Sequence, residues 1–168
     1  WGAKGGMGRV IAIEYHADRK EVQSDARLSA LLSAEMQHAP FDRLAWWQGL
    51  ADHCGLDPLL AVARDGDDAA VLPLQWAEGR LCGLANWYSF RLRPVASPGS
   101  DAAGLLAALA RDLARRAPRV TLSGLPQEDG SADLTEAAFR KAGWIALREA
   151  CDSNHVLSVQ GRSFDEYL

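Results

Sequence analysis

The arginines of this chain are its first chemical signal. Residues 80–120 carry 7 basic side chains, all arginine (Arg80, Arg91, Arg93, Arg111, Arg115, Arg116 and Arg119), against the two acids Asp101 and Asp112. The flanks are acidic, with 7 basic and 12 acidic side chains in residues 1–79, and 4 and 8 in residues 121–168. A guanidinium presents its N–H groups as a rigid fork that matches phosphate oxygens, so such a run suits a phosphorylated ligand. It equally suits a solvated helix face. The stretch from Asn86 to Ser100 joins Arg91 and Arg93 to Trp87, Tyr88 and Phe90 and to the small residues Ser97, Gly99 and Ser100. Loops of this make commonly carry function.

Other chemistries find less to work with. Cys54, Cys82 and Cys151 are odd in number and widely spaced, which predicts buried free thiols and no disulfide framework. His16, His38, His53 and His155 show no metal-ligand spacing, and adjacent His53 and Cys54 would point about 100° apart on a helix. Lys4-Gly5-Gly6-Met7-Gly8-Arg9-Val10 resembles the phosphate loop of partition-type ATPases. That chemistry needs a lysine on the phosphates and a hydroxyl on magnesium, where Arg9 and Val10 stand.

The 168 residues suit one domain, and 48% apolar against 24% charged is an ordinary globular balance. Eighteen Lys+Arg against 22 Asp+Glu leave a net charge of −4, which argues against a general nucleic-acid binder. No apolar run reaches the roughly 20 residues of a membrane span, so a cytoplasmic domain is expected. Residues 1–8 read as an added or disordered start, with Met7 the natural first residue. Residues 9–160 form the domain, and residues 161–168, from Ser163-Phe164-Asp165 on, open a further helix.

The elements that must position the arginine loop are legible from periodicity. Val10 to Tyr15 reads as a strand. Two helical patterns follow, one holding Leu28, Leu31, Leu32 and Met36. The other starts at Asp42 as N-cap, lines up Leu44, Trp47, Leu50 or Ala51, and Cys54, and stops at Gly55. Leu59 to Ala63 and Ala69 to Leu74 form a hairpin about Asp65-Gly66-Asp67-Asp68, with Pro73 expected at an edge or bulge. Glu78-Gly79 turns the chain into the Leu81 to Ala85 strand. After the arginine loop, an amphipathic helix from about Asp101 to Ala117 buries Leu105, Leu106, Leu109 and Leu113. Val120-Thr121-Leu122 is a strand, and Asp133 with Glu136 reads as a capping box for a helix ending at Gly143. Trp144 to Arg148 and His155 to Val159 read as two last strands.

This order resembles that of the acyl-CoA-dependent N-acyltransferases of the GNAT superfamily over residues 9–160. Ala137-Ala138-Phe139-Arg140-Lys141-Ala142-Gly143-Trp144 is similar to the superfamily's Ala-x-x-Tyr-x-Lys-x-Gly-Phe segment. Leu44-Ala45-Trp46-Trp47 and Leu72-Pro73-Leu74 are similar to segments of the cellulose-biosynthesis-type acetyltransferases and Fem-type ligases, which often carry two GNAT-like halves. The resemblance implies an α/β fold, a mixed sheet of six or seven strands with helices on both faces. Val120-Thr121-Leu122 would lie parallel beside Leu81 to Ala85.

The resemblance also implies an acetyl-CoA or other acyl-CoA cosubstrate and a small-molecule or peptide amine as acceptor. The pantetheine would run past Leu84 to Ser89, touching Trp87 and Ser89. The phosphates would lie at Ser97 to Gly104, on Ser97, Gly99, Ser100 and Gly104 at a helix N-terminus, with Arg91 and Arg93 nearby. Tyr88 would protonate the leaving thiolate, and His155 or Glu149 would act as base. Three departures bear on this. Pro94 and Pro98 have no amide to donate, Asp101 places a negative charge at the helix start, and Phe139 stands where the family has tyrosine. Three readings therefore stand side by side: a complete N-acyltransferase, a non-catalytic GNAT-like half that packs on a donor-binding half or on a second copy, and an interaction module without ligand.

Overall fold

Small and β-branched residues at the centre of the chain make two strands that are buried on both faces. In the computed structural model, which describes residues 10–150 and Gly161, β2 (Pro58–Asp65) and β3 (Asp68–Ala77) form an antiparallel hairpin. Asp65 pairs with Asp68, so Gly66 and Asp67 alone make the turn, and Gly66 supplies the positive φ of 62°. β1 (Ala12–His16) pairs antiparallel with β2, and β4 (Arg80–Gly83) pairs antiparallel with β3. The two-residue Glu78-Gly79 turn before β4 has both φ values positive, 50° and 73°. β6 (Val120–Thr121) lies parallel to β4, with Leu81 opposite Val120 and Cys82 opposite Thr121, as the sequence predicts. β5 (Val95–Ala96), a strand the sequence reading leaves in a loop, pairs with Ala70 and Val71 of β3. The result is an α/β fold on a six-stranded mixed sheet in the order β1-β2-β3-β4-β6, with β5 beside β3.

Side chains alternate across a strand, so the two faces of the sheet receive different residues. Ala61, Ala63, Ala70, Leu72 and Leu74 form one face, and the stripe Leu105, Leu106, Leu109 and Leu113 of α4 (Ala102–Leu113) packs on it with α5 (Ser131–Lys141). Leu60, Val62, Ala69 and Val71 form the other face. It is covered by α1 (Arg19–Ser24), α2 (Ala26–Leu31) and α3 (Leu44–Cys54) through Val22, Leu28, Trp47 and Leu50. Helices thus lie on both faces. Among the described residues, no helix is long and apolar enough to cross a membrane.

Several local expectations give way to tertiary partners. Pro73 lies inside β3, yet the ladder of β3 with β4 ends at Leu74 and that with β5 starts at Val71. Pro73 sits in the gap between them, where its carbonyl accepts from the Leu84 N–H at 3.0 Å and no donor is missed. Met36 lies beyond α2 and is exposed. Asp42 is no helix cap, because a 3-10 turn over Pro40–Asp42 precedes α3 and turns its carboxylate inward. Cys54 is exposed at the end of α3, Cys82 is partly buried, and Cys151 lies outside the described residues. The capping box fails because Asp133 and Glu136 both pair with Arg148, while Gly130, at φ 77°, precedes α5.

Trp144 to Arg148 is no strand. Its indole donates to the Ala110 carbonyl at 2.8 Å, its Ala146 carbonyl accepts from Arg140, and Arg148 is held by α5 carboxylates. Of the backbone groups a ladder would use, α5 takes two: the Ala146 carbonyl, through Arg140, and the Trp144 N–H, which donates to the Phe139 carbonyl at 3.1 Å. The His155 to Val159 strand and the Ser163 helix lie outside the described residues, as do residues 1–9.

At one end of α4, Tyr15 of β1 donates its hydroxyl to Asp112 at 2.9 Å, and Arg116 stacks 3.9 Å from the Tyr15 ring centre. Burial, then the Asp112 hydrogen bond, push the Tyr15 phenol well up. Burial by itself would raise the Asp112 carboxyl, but hydrogen bonds from Arg116, Tyr15 and Arg115 outweigh it and hold it below its ordinary 3.8. As pH falls the unfolded chain takes up the proton first. This stabilisation is therefore complete above about pH 5 and is lost as pH drops through the folded value. Urea midpoints measured between about pH 6 and about pH 3 should fall more steeply for the native chain than for Asp112→Asn. Equal slopes would remove Asp112 from that role.

Candidate functional site

The arginine loop starts where β4 and β6 stop pairing. Their parallel ladder ends at Cys82 and Thr121, and the fork beyond is filled by the chain itself. Leu92 folds back over it, its N–H donating to the Gly124 carbonyl at 2.9 Å and its side chain buried. Gly83 makes this approach possible, since a Cβ there would lie 2.5 Å from Leu92 Cδ2.

The small residues after the loop are also engaged. Ser97 extends the β5 pairing: its N–H donates to the Ala69 carbonyl at 2.8 Å, and its hydroxyl accepts from the Ala69 N–H at 3.0 Å. Ser100 donates its hydroxyl to the Ser97 carbonyl at 2.7 Å, across a turn in which Gly99 takes φ 76°. Asp101 caps α4, its carboxylate accepting from the Gly104 N–H at 2.9 Å. A Cβ at Gly104 would lie 2.2 Å from that carboxylate, so glycine there leaves room for the cap as it stands. The N-terminus of α4 is thus already supplied with a negative charge of its own.

Arg91 and Arg93 turn inward to a carboxylate. Asp42 is only 1% exposed, and its Oδ2 accepts from Arg93 Nε at 2.7 Å with an Arg91 terminal nitrogen at 3.4 Å. Arg93 also donates to Gln37 Oε1 at 3.0 Å, and the Gln37 amide donates to the Leu31 carbonyl at 2.8 Å. Arg91 reaches Asp129 at 2.9 Å. Burial would raise the Asp129 carboxyl, but hydrogen bonds from Ser131 and the charges of Arg91 and Arg93 hold it down. Asp42 Oδ1 and Arg91 Nε are buried without a hydrogen-bond partner. This network ties the loop to α2, the 3-10 turn and the start of α5.

Above the network the loop shows its aromatic residues to solvent. Trp87 is 91% exposed, Tyr88 67% and Phe90 78%. Phe90 meets Phe41 edge to face at 5.9 Å, and Phe41 meets Trp46 at 4.9 Å, so an aromatic patch continues onto α3. Asn86 shapes the turn, its side-chain oxygen accepting from the Tyr88 N–H and the Ser89 hydroxyl at 3.0 Å each.

Trp87, Tyr88, Ser89, Arg91 and Arg93 therefore share one loop, and Ser97, Gly99, Ser100 and Gly104 share the turn into α4. Glu149 lies beyond α5 on an exposed stretch, and His155 lies outside the described residues. Gln37 and Asp129 escape the sequence reading, and Asp42 enters it only as a helix cap. The uncommon excess of arginine over lysine was the one available hint, since arginine suits buried ion pairs. Comparison with protein-family models, with curated proteins and with solved structures gives no match.

Proposed function

We propose that this chain is the packing half of a GNAT-like N-acyltransferase, and that the acyl-CoA binds elsewhere than in its arginine loop. One observation carries this: the fork between β4 and β6 is plugged by Leu92, locked to Gly124. A pantetheine would need that fork, and a pyrophosphate would need the α4 amides that Asp101 already faces. The arginines offer no substitute while Asp42, Asp129 and Gln37 hold them. The exposed Trp87, Tyr88 and Phe90 form the face that packs, in the manner of aromatic-rich interface cores.

The test is calorimetric titration of the chain with acetyl-CoA. No saturable binding is expected up to about 1 mM, an affinity of roughly 4 kcal/mol. A dissociation constant in the micromolar range would put the complete-enzyme reading first, with Ser97, Gly99 and Ser100 as the residues to examine. Sedimentation at rising concentration tests the packing face. Self-association that Trp87→Ser with Phe90→Ser abolishes would make the second half a copy of this chain.

A further inference from the structure

Helix α4 ends at Leu113, but the sheet beneath it runs on. Side chains alternate along a strand, so Trp76 faces the same side of β3 as Leu72 and Leu74. Those two leucines are fully buried, whereas Trp76 is 49% exposed. Beside it opens a cavity of about 390 Å3, lined by Tyr15, Leu59, Trp76, Leu81, Leu113 and Arg116. We propose that this cavity binds an aromatic carboxylate, with its ring against Trp76 and the leucines and its charge at Arg116. The volume falls within the range of about 300–1,000 Å3 that ligand sites occupy.

The wall is apolar and preformed. Leu59, Leu81 and Leu113 pack in the core of this face, and Trp76 lies opposite Leu81 in the β3–β4 ladder. Three strands and the end of α4 therefore fix its shape. A flat ring gains there by leaving water and by ring contact with the half-exposed indole.

The rim selects the sign of the ligand. Among the described lining residues, Arg116 alone is charged. Its guanidinium stands 3.9 Å from the centre of the Tyr15 ring, also on the lining, so the charge is held at the cavity. Its side chain is 51% exposed, within reach of a ligand that enters from solvent. Arg116 spends its Nε–H on Asp112 at 3.0 Å, and a guanidinium carries four further N–H groups in a fork that fits a carboxylate. Asp112 does not cancel the rim charge, because Arg115 pairs with the same carboxylate and two cations share one anion. Glu78, in the turn after β3, is taken by Arg80 at 3.1 Å. A carboxylate is therefore attracted to this rim. The cavity lies where β4 begins, and the fork filled by Leu92 opens where β4 ends. The site is thus independent of the acyltransferase reading.

The test titrates the whole chain with cinnamate, with the uncharged cinnamamide and with acetate, followed by amide shifts in nuclear magnetic resonance. Cinnamate is expected to saturate with a dissociation constant at or below about 1 mM, shifting the Trp76 and Leu81 amides and not those of the Trp87 to Phe90 loop. Cinnamamide lacks the charge and should bind about fivefold more weakly, the upper end of what an exposed ion pair contributes. Acetate lacks the ring and should not saturate by about 10 mM. Arg116→Met keeps an apolar stem, so it should erase the preference for cinnamate and leave cinnamamide binding unchanged. Trp76→Ala should weaken both aromatic ligands about tenfold. Arg111→Met, which removes an equal charge from α4 outside the lining, should alter neither. Failure of cinnamate to saturate by about 10 mM, equal binding of cinnamate and cinnamamide, a preference that survives Arg116→Met, or shifts confined to the Trp87 to Phe90 loop would each overturn the proposal.

Discussion

Replacing Leu109 with alanine is expected to destabilise the domain by about 2–5 kcal/mol, read as a fall in the urea midpoint at constant slope. Leu109 is fully buried at the middle of the α4 stripe. The sheet beneath it presents Ala61, Ala63 and Ala70, side chains too short to move into the space that a truncation opens. The helix leucines supply the volume at this interface, so the cavity persists and the cost lies in the upper part of that range. Leu147, 93% exposed, is the control: its alanine variant should change stability by less than about 0.5 kcal/mol. A Leu109→Ala effect below about 1 kcal/mol would show that α4 packs elsewhere.

Asp42→Ala is expected to cost about 3 kcal/mol and to loosen the arginine loop. The carboxylate is nearly inaccessible and accepts from Arg93, with Arg91 close by. Removing it takes away the counter-charge that two neighbouring guanidinium groups share, leaving Arg91 only Asp129 and Arg93 only the neutral Gln37. The loss exceeds that of an exposed ion pair, worth about 0–1 kcal/mol, because water cannot fully replace the lost partner. It falls short of the largest buried-pair losses because the Arg91 and Arg93 side chains keep 27% and 30% of their exposure. In a double-mutant cycle with Arg93→Met, the coupling should exceed about 1 kcal/mol. Amide exchange at Leu92 should quicken in Asp42→Ala, since Arg93 and Arg91 anchor the segment that carries it. Additive effects in the cycle, with unchanged exchange at Leu92, would show that the network does not hold the loop.

What the residues determine locally was legible in the sequence. The β2–β3 hairpin follows from two apolar runs about Asp65-Gly66-Asp67-Asp68, because only one of those residues takes a positive φ without strain. The α4 stripe follows from leucines at helical spacing, and the parallel β4–β6 pair follows from placing a helix between two strands. What the tertiary structure decided is where the polar and extended segments find partners. Asp42 has the type and position of a helix cap, yet it serves two arginines 49 and 51 residues further along the chain. Trp144 to Arg148 has the pattern of a strand, yet Arg140, Asp133 and Glu136 claim its hydrogen-bonding groups. The serines and arginines of the loop look suited to phosphate until their partners are seen, because residue type states what a side chain is able to bind. Which partner reaches it first depends on packing across the whole sheet, and that is a non-local property.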